Sequence, residues 1–336
     1  MFERKQLIKW LKITAKLAVV ALLAWMIRGT LESAFKQLQE HTWHIEWPWL
    51  LAAGSLYLLG TFPNALFWSQ VIAATDHPVG LFAPVRSFYV SAIGKYVPGK
   101  AMVLVLRAAT MRETQVPATI VTIGVFYETL NNMAVGSLMA LLILLPQSGS
   151  DPKLILAALG MLAVTGLPIV PPVFKLALRY SGLKKFNPSA VEKLNLISTR
   201  VLVTGWATLA VGWWIQGLSL WATLHALSEP STSLGHWPEY TAVIAMSVVA
   251  GFLALLPAGV GAREFVTIEL LKLAGASDST AVISAILLRL VSVVADVGIS
   301  TILYFVRPRA ANGTEQDDAA TVDAAAVDVT TADEEE

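Results

Sequence analysis

The chain has 336 residues, of which 55% are hydrophobic and only 14% charged; its mean hydropathy is +0.62 and it contains no cysteine. Soluble domains carry about 25% charged residues, so this composition excludes a water-soluble globular protein and predicts an all-α polytopic membrane protein. Without cysteine there are no disulfides, thiolate nucleophiles or cysteine metal sites. Formal net charge is zero, yet nine of the 24 acidic residues follow Arg309, leaving 15 against 24 Lys and Arg before that point, a net +9. A basic membrane part suits anionic headgroups, and also the ordinary cytoplasmic excess of Lys and Arg.

Residues 1–16 carry Arg4, Lys5, Lys9, Lys12 and Lys16 ahead of an apolar run from Leu17 to Ile27. A secretory signal peptide has this order of parts, and so does a retained first helix with its amino terminus inside; the length of the basic segment and the lack of a small-x-small site favour the helix. Residues 29–46 pattern as a surface helix, with Leu31, Ala34, Phe35 and Leu38 on one face. Trp43, Trp47 and Trp49, three of eleven tryptophans, mark a membrane interface. A second span is predicted over Trp49 to Ala73.

The next apolar stretch is broken. Phe82 to Ile93 and Ala101 to Leu106 are each too short to cross, since a spanning helix needs ~20 apolar residues. Between them lies Gly94-Lys95-Tyr96-Val97-Pro98-Gly99-Lys100. Arg107 and Arg112 follow, then a third span over Pro117 to Leu145 with Glu128, Asn131 and Asn132 near its middle. A polar turn at Pro146 to Pro152 leads to a fourth span, Leu154 to Phe174. The loop of 175–200 is the densest in Lys and Arg. A fifth span covers Val201 to Leu227. After a polar loop at 228–239, Tyr240 to Leu256 runs into a second break, Pro257-Ala258-Gly259-Val260-Gly261-Ala262-Arg263-Glu264, and Phe265 to Leu273 returns from it. The last span, Thr280 to Val306, contains Arg289 and Asp296. Residues 308–336 are rich in Ala, Thr, Asp and Glu and are expected to form a disordered acidic tail, separate from a membrane domain over 1–307.

Irregular backbone at membrane depth survives only where protein buries it or water reaches it. Two such breaks, one in each half of the chain, point to a midplane substrate site in an inverted-repeat fold. The distribution of basic loops fits about six full spans plus two broken re-entrant hairpins, with both termini cytoplasmic. The first hairpin then approaches from the cytoplasm and the second from outside, pairing span two, hairpin, span three with span five, hairpin, span six. Eight shorter crossings satisfy the same charge pattern.

Ser91-Ala92-Ile93-Gly94-Lys95-Tyr96-Val97-Pro98-Gly99-Lys100 with Arg107 resembles the first motif of the lysylphosphatidylglycerol synthase transmembrane-region family. Leu256-Pro257-Ala258-Gly259-Val260-Gly261-Ala262-Arg263-Glu264 with Arg289 is similar to its second, which usually reads Pro-Gly-Gly, so Ala258 departs from the pattern. The resemblance covers about residues 5–307. It implies a flippase-like membrane domain that moves aminoacylated or other lipids between leaflets of the cell membrane. The family's synthase activity resides in a separate soluble domain, for which residues 307–336 offer no counterpart, so lipid aminoacylation is not expected of this chain.

Ten polar residues are candidates to bind substrate: Lys95, Tyr96, Lys100, Arg107, Glu128, Asn131, Arg263, Glu264, Arg289 and Asp296. An intramembrane arginine costs ~2.5–3.5 kcal/mol on insertion scales and so requires a partner or water; its planar fork can hold a lipid phosphate through two parallel bonds. The structural alternative is an ion pair, for Arg289 with Glu128 or Asp296, and for Arg107 an anchor at the interface. Glu128, with Asn131 one turn on, either pairs with a cation to lock the bundle or serves proton-coupled movement or a cationic headgroup. Arg289 and Asp296, two turns apart, share one helix face. Lys95 and Lys100 either meet an anion at freed backbone amides or snorkel to the surface. Pro98, Gly99, Pro257, Gly259 and Gly261 are expected to shape the backbone.

No metal-ligand spacing exists among the five histidines. Nor does the sequence hold a phosphate-binding loop, nucleophile elbow or dinucleotide fingerprint. No metal, cofactor or ATP-driven cycle is therefore expected, and no nucleic-acid partner, because the basic residues are spread between spans. The expected partners are membrane lipids, anionic or aminoacylated. Three functions remain: a lipid translocase, which a homodimer would also accommodate; a non-transporting membrane partner of a lipid-modifying enzyme or glycosyltransferase; and, weakened by the lack of a nucleophile or metal set, an enzyme using Glu128 and the arginines on a lipid phosphate. A continuous polar groove from Glu128 to the arginines would mark the first; closed ion pairs would mark the second.

Overall fold

A computed structural model describes residues 45–97, 101–146, 151–170, 173, 176, 198–227 and 232–306. The expected first span, most of the surface helix, Pro98, Gly99, Lys100, most of the 175–200 loop and the acidic tail lie outside them. The regular structure of the described residues is helical, in nine α-helices: α1 (Trp47–Ala73), α2 (Phe82–Ala92), α3 (Ala101–Thr110), α4 (Ala118–Leu144), α5 (Pro152–Gly166), α6 (Thr199–His225), α7 (Trp237–Leu253), α8 (Ala262–Leu273) and α9 (Asp278–Phe305). Short 3-10 turns continue α2 over Ile93–Tyr96, α5 over Leu167–Ile169, and join α7 to α8 over Pro257–Gly259.

Four of these segments are long and apolar enough to cross a membrane: Trp47–Ala73, Pro152–Ile169, Thr199–His225 and Asp278–Phe305. The predicted third span, α4, matches them in length, but Glu128, Asn131 and Asn132 dilute its hydropathy, and all three are buried inside the protein. The predicted fourth span ends sooner than expected as an α-helix, tightening into a 3-10 turn around Pro168, a residue that cannot donate to the helical ladder.

Helices α1 and α6 form the central contact. Their backbones approach where Gly60 faces Gly212: a Cβ on Gly212 would lie 2.7 Å from the Gly60 carbonyl oxygen. Small residues permit this approach, which van der Waals contact stabilises in lipid, and the Ser219 hydroxyl donates across it to the Ala53 carbonyl at 2.8 Å. Around this pair the packing repeats. Helix α4 lies against α7 as α9 lies against α2, α4 touches α6 as α9 touches α1, and α2 folds on α3 as α7 folds on α8. Each contact has its counterpart when α1–α4 is exchanged for α6–α9, which is the pattern of an internal repeat. Helix α5 stands outside the repeat, with 17% of its apolar window buried against 56% for α9.

Both predicted breaks are real interruptions of helix. In the first, α2 gives way to a 3-10 turn and then to extended backbone at Val97 (φ −86°, ψ 136°). Gly94 lets the returning helix fold back closely, since a Cβ there would lie 2.5 Å from the Val103 amide nitrogen. In the second break Leu255, Ala258, Gly259 and Gly261 all have positive φ, at 55°, 47°, 70° and 82°. The two 3-10 turns touch each other, so the exchange that relates the halves brings their breaks together at the centre.

Candidate functional site

The polar side chains of the bundle fall into two groups. The first is closed. Arg107, the one buried residue of α3, reaches Glu128 on α4 with Nη1 at 3.3 Å from Oε2, and both side chains are nearly inaccessible, at 4% and 6% exposure. Its Nε donates to Ser91 Oγ at 2.9 Å. The guanidinium is walled by Trp68 and Phe88, whose ring centres lie 5.0 and 4.8 Å away. This Arg107 is no interfacial anchor: it is a buried pair that fastens the returning arm of the first break to α4. One turn on, Asn131 has both ends of its amide occupied, donating to the Tyr127 carbonyl at 2.8 Å and accepting from Trp206 Nε1 at 2.8 Å. It ties α4 to α6.

The second group lies where the breaks meet. Lys95, from the first break, approaches Asp296 on α9 with Nζ 2.5 Å from Oδ2. The Tyr96 hydroxyl donates to the same oxygen at 2.6 Å, and the Tyr57 hydroxyl, from α1, lies 3.1 Å from both carboxylate oxygens. Lys95 also donates to the Tyr57 hydroxyl at 2.9 Å. A buried carboxylate demands such a set of donors.

Arg289 belongs to this group through the Tyr96 ring, with its guanidinium carbon 5.6 Å from the ring centre. Its expected partners were Glu128 or Asp296. It instead donates Nη1 to the Ala258 carbonyl at 2.8 Å and lies with Nε 3.5 Å from Glu264 Oε1. The reason is local: the second break frees a carbonyl at Ala258, and an arginine on the neighbouring helix can satisfy both that oxygen and a carboxylate. Glu264 divides its work, since its other oxygen accepts from the Gly261 amide at 2.6 Å and caps α8. Arg289 and Asp296 share a helix face, as the spacing indicated, and Tyr96 stands between them.

Arg263 differs from the other cations. Among the described residues it makes no ion pair. Its aliphatic stem packs against Gly251 and Gly259, while its charge lies in electrostatic range of Arg289, Glu264, Tyr57 and Tyr96. Lys95, Arg263 and Arg289 against Glu264 and Asp296 leave the centre with one positive charge in excess. Of the backbone-shaping residues, Pro257 opens the 3-10 turn, while Gly259 and Gly261 occupy positive-φ positions that an L side chain resists.

Two participants escape a reading of the sequence. Tyr57 looks like one more aromatic in an apolar helix. Arg86 looks like a cytoplasmic charge, yet it caps the end of α9, with Nε 2.9 Å from the Leu303 carbonyl oxygen and 2.8 Å from that of Val306.

A family profile described as the lysylphosphatidylglycerol synthase TM region matches residues 13–299, a stretch that includes both breaks and every charged residue of the centre. No curated protein and no solved structure matches the chain.

Proposed function

The chain belongs to the lysylphosphatidylglycerol synthase transmembrane-region family, and on that premise we propose that it is a lipid translocase of the cell membrane. An anionic headgroup would pass between leaflets at the meeting point of the breaks, its acyl chains remaining in lipid. The observation that carries this reading is Arg263, which makes no ion pair among the described residues, beside Lys95–Asp296 and Arg289–Glu264. Intramembrane charge is expensive and is kept where it serves a substrate path. An arginine without a carboxylate, next to freed peptide groups, is the arrangement that receives a phosphate.

In this proposal the breaks are re-entrant hairpins from opposite leaflets within about six spans, with both termini cytoplasmic. Lys95, Tyr96, Arg263, Glu264, Arg289 and Asp296 line the headgroup's path, and Lys100, outside the described residues, remains a candidate to bind it. Arg107, Glu128 and Asn131 hold the frame in which that centre is assembled.

The test is leaflet exchange of labelled phosphatidylglycerol in liposomes containing the purified chain. Arg263→Ala is expected to slow exchange about tenfold or more, the weight of a charge-assisted contact to phosphate. Equal rates for the native chain and the variant would remove the reading. A second reading, a non-transporting membrane partner of a lipid-modifying enzyme, is favoured by the closed Arg107–Glu128 pair, which lies apart from the centre. It expects no exchange above protein-free liposomes and co-purification with such an enzyme.

A further inference from the structure

We propose that Asp296 is an internal stand-in for the headgroup's anion, and that it selects a phosphodiester of single net negative charge. The proposal rests on the translocase reading and specifies its substrate. Lys95, Tyr57 and Tyr96 all turn their donors on one carboxylate, and Lys95 is the donor among them that a phosphate oxygen would take over. The carboxylate lies behind its cation: the Lys95 side chain is 30% exposed and that of Asp296 only 3%. A headgroup therefore meets the more exposed Lys95 before Asp296 and can draw it away. Asp296 is not stranded by that exchange, since both tyrosine hydroxyls stay on it.

The excess charge of the centre sets the class. One negative charge neutralises Lys95, Arg263 and Arg289 taken with Glu264 and Asp296. A zwitterionic headgroup leaves the excess uncompensated, and a doubly charged phosphomonoester overshoots it. Asp296 raises the threshold further, because a weakly held ligand does not displace a carboxylate already seated among three donors.

The experiment titrates dihexanoyl phosphatidylglycerol and dihexanoyl phosphatidylcholine into the purified full chain in detergent, read by calorimetry. Asp296→Asn leaves Lys95 without its competitor, so phosphatidylglycerol binds about tenfold tighter than to the native chain, by the fraction of sites the competitor had occupied. Binding of phosphatidylcholine does not change, and adding Lys95→Gln abolishes the gain. Equal or weaker phosphatidylglycerol binding by Asp296→Asn overturns the inference. Where Arg263→Ala loses phosphatidylglycerol binding and Asp296→Asn gains none, the inference alone falls and the translocase reading stands. If both lipids bind native chain and Arg263→Ala alike, the anion path falls and takes the inference with it. Should Asp296→Asn not fold, Tyr57→Phe decides: with one donor fewer on the vacated carboxylate, phosphatidylglycerol binding weakens several-fold, and unchanged binding is the overturning result.

Discussion

Arg107 and Arg263 stand on the returning helices of the two breaks, yet they have opposite fates. Arg107 meets Glu128 on the next helix and is sealed by two aromatic rings. Arg263 has a carboxylate available in principle on its own next helix, but Asp296 is taken by Lys95 from the other break. The cross-over matters more than the residue type. Because the two breaks interlock at the centre, one half's cation consumes the other half's counter-ion, and a second cation is left open.

The most severe way to break this comparison is to remove one member of the sealed pair. Arg107→Ala or Glu128→Ala leaves a buried charge without compensation and is expected to cost about 3–5 kcal/mol, seen as a large fall in thermal midpoint in detergent. The double variant Arg107→Met with Glu128→Leu recovers most of that loss, since apolar residues of similar volume replace a buried pair at little cost. Arg263→Ala is expected to cost about 1 kcal/mol at most, because only the packing of its stem is lost. Comparable losses at Arg107 and Arg263 would show that both arginines are structural.

Next in size is the fold-back of the first break. A methyl at Gly94 would press on the Val103 backbone, which has no flexible tip to yield, so Gly94→Ala is expected to destabilise by about 1–3 kcal/mol. The centre moves with that turn, and lipid exchange should fall with it. Smaller again is Asn131→Ala. It strips the half-buried Trp206 of its acceptor and is expected to cost about 1 kcal/mol for the lost hydrogen bond, with lipid exchange otherwise intact in the folded fraction. If Asn131→Ala abolishes exchange without changing stability, Asn131 belongs to the path after all.

Much of this architecture was legible because membranes make sequence constraints severe. Lysine, proline and glycine cannot interrupt an apolar run without consequence, so Gly94–Lys100 and Pro257–Glu264 announced the breaks. Glu128, Asn131 and Asn132 in the third span marked a helix whose polar side chains had to be buried among others. What the sequence could not disclose is who pairs with whom. Arg289 was expected to pair with Glu128 or Asp296, and its choice of Glu264 depends on a carbonyl freed at Ala258, a property of backbone geometry. Tyr57 stayed hidden because a tyrosine in an apolar helix also reads as an interfacial residue. Its role exists only once Lys95 and Asp296, 201 residues apart in the numbering, have met.

The mildest prediction concerns Ala258, in the second break. Ala258 has φ 47° and ψ 18°, a left-handed conformation that costs an L residue about 1–2 kcal/mol. Glycine adopts it freely but loses more conformational entropy on folding, about 0.5–1 kcal/mol. The balance favours Ala258→Gly by about 0.5–1 kcal/mol, a rise of a few degrees in thermal midpoint. The Ala258 carbonyl is unaltered by the change, so Arg289 keeps its acceptor and phosphatidylglycerol binding is expected to stay at the native value. A fall in stability would mean that the alanine methyl has a packing role exceeding its strain. Tighter binding would mean that the second break is held too stiffly for the headgroup, and that the open arginine is limited by its backbone as well as by Asp296.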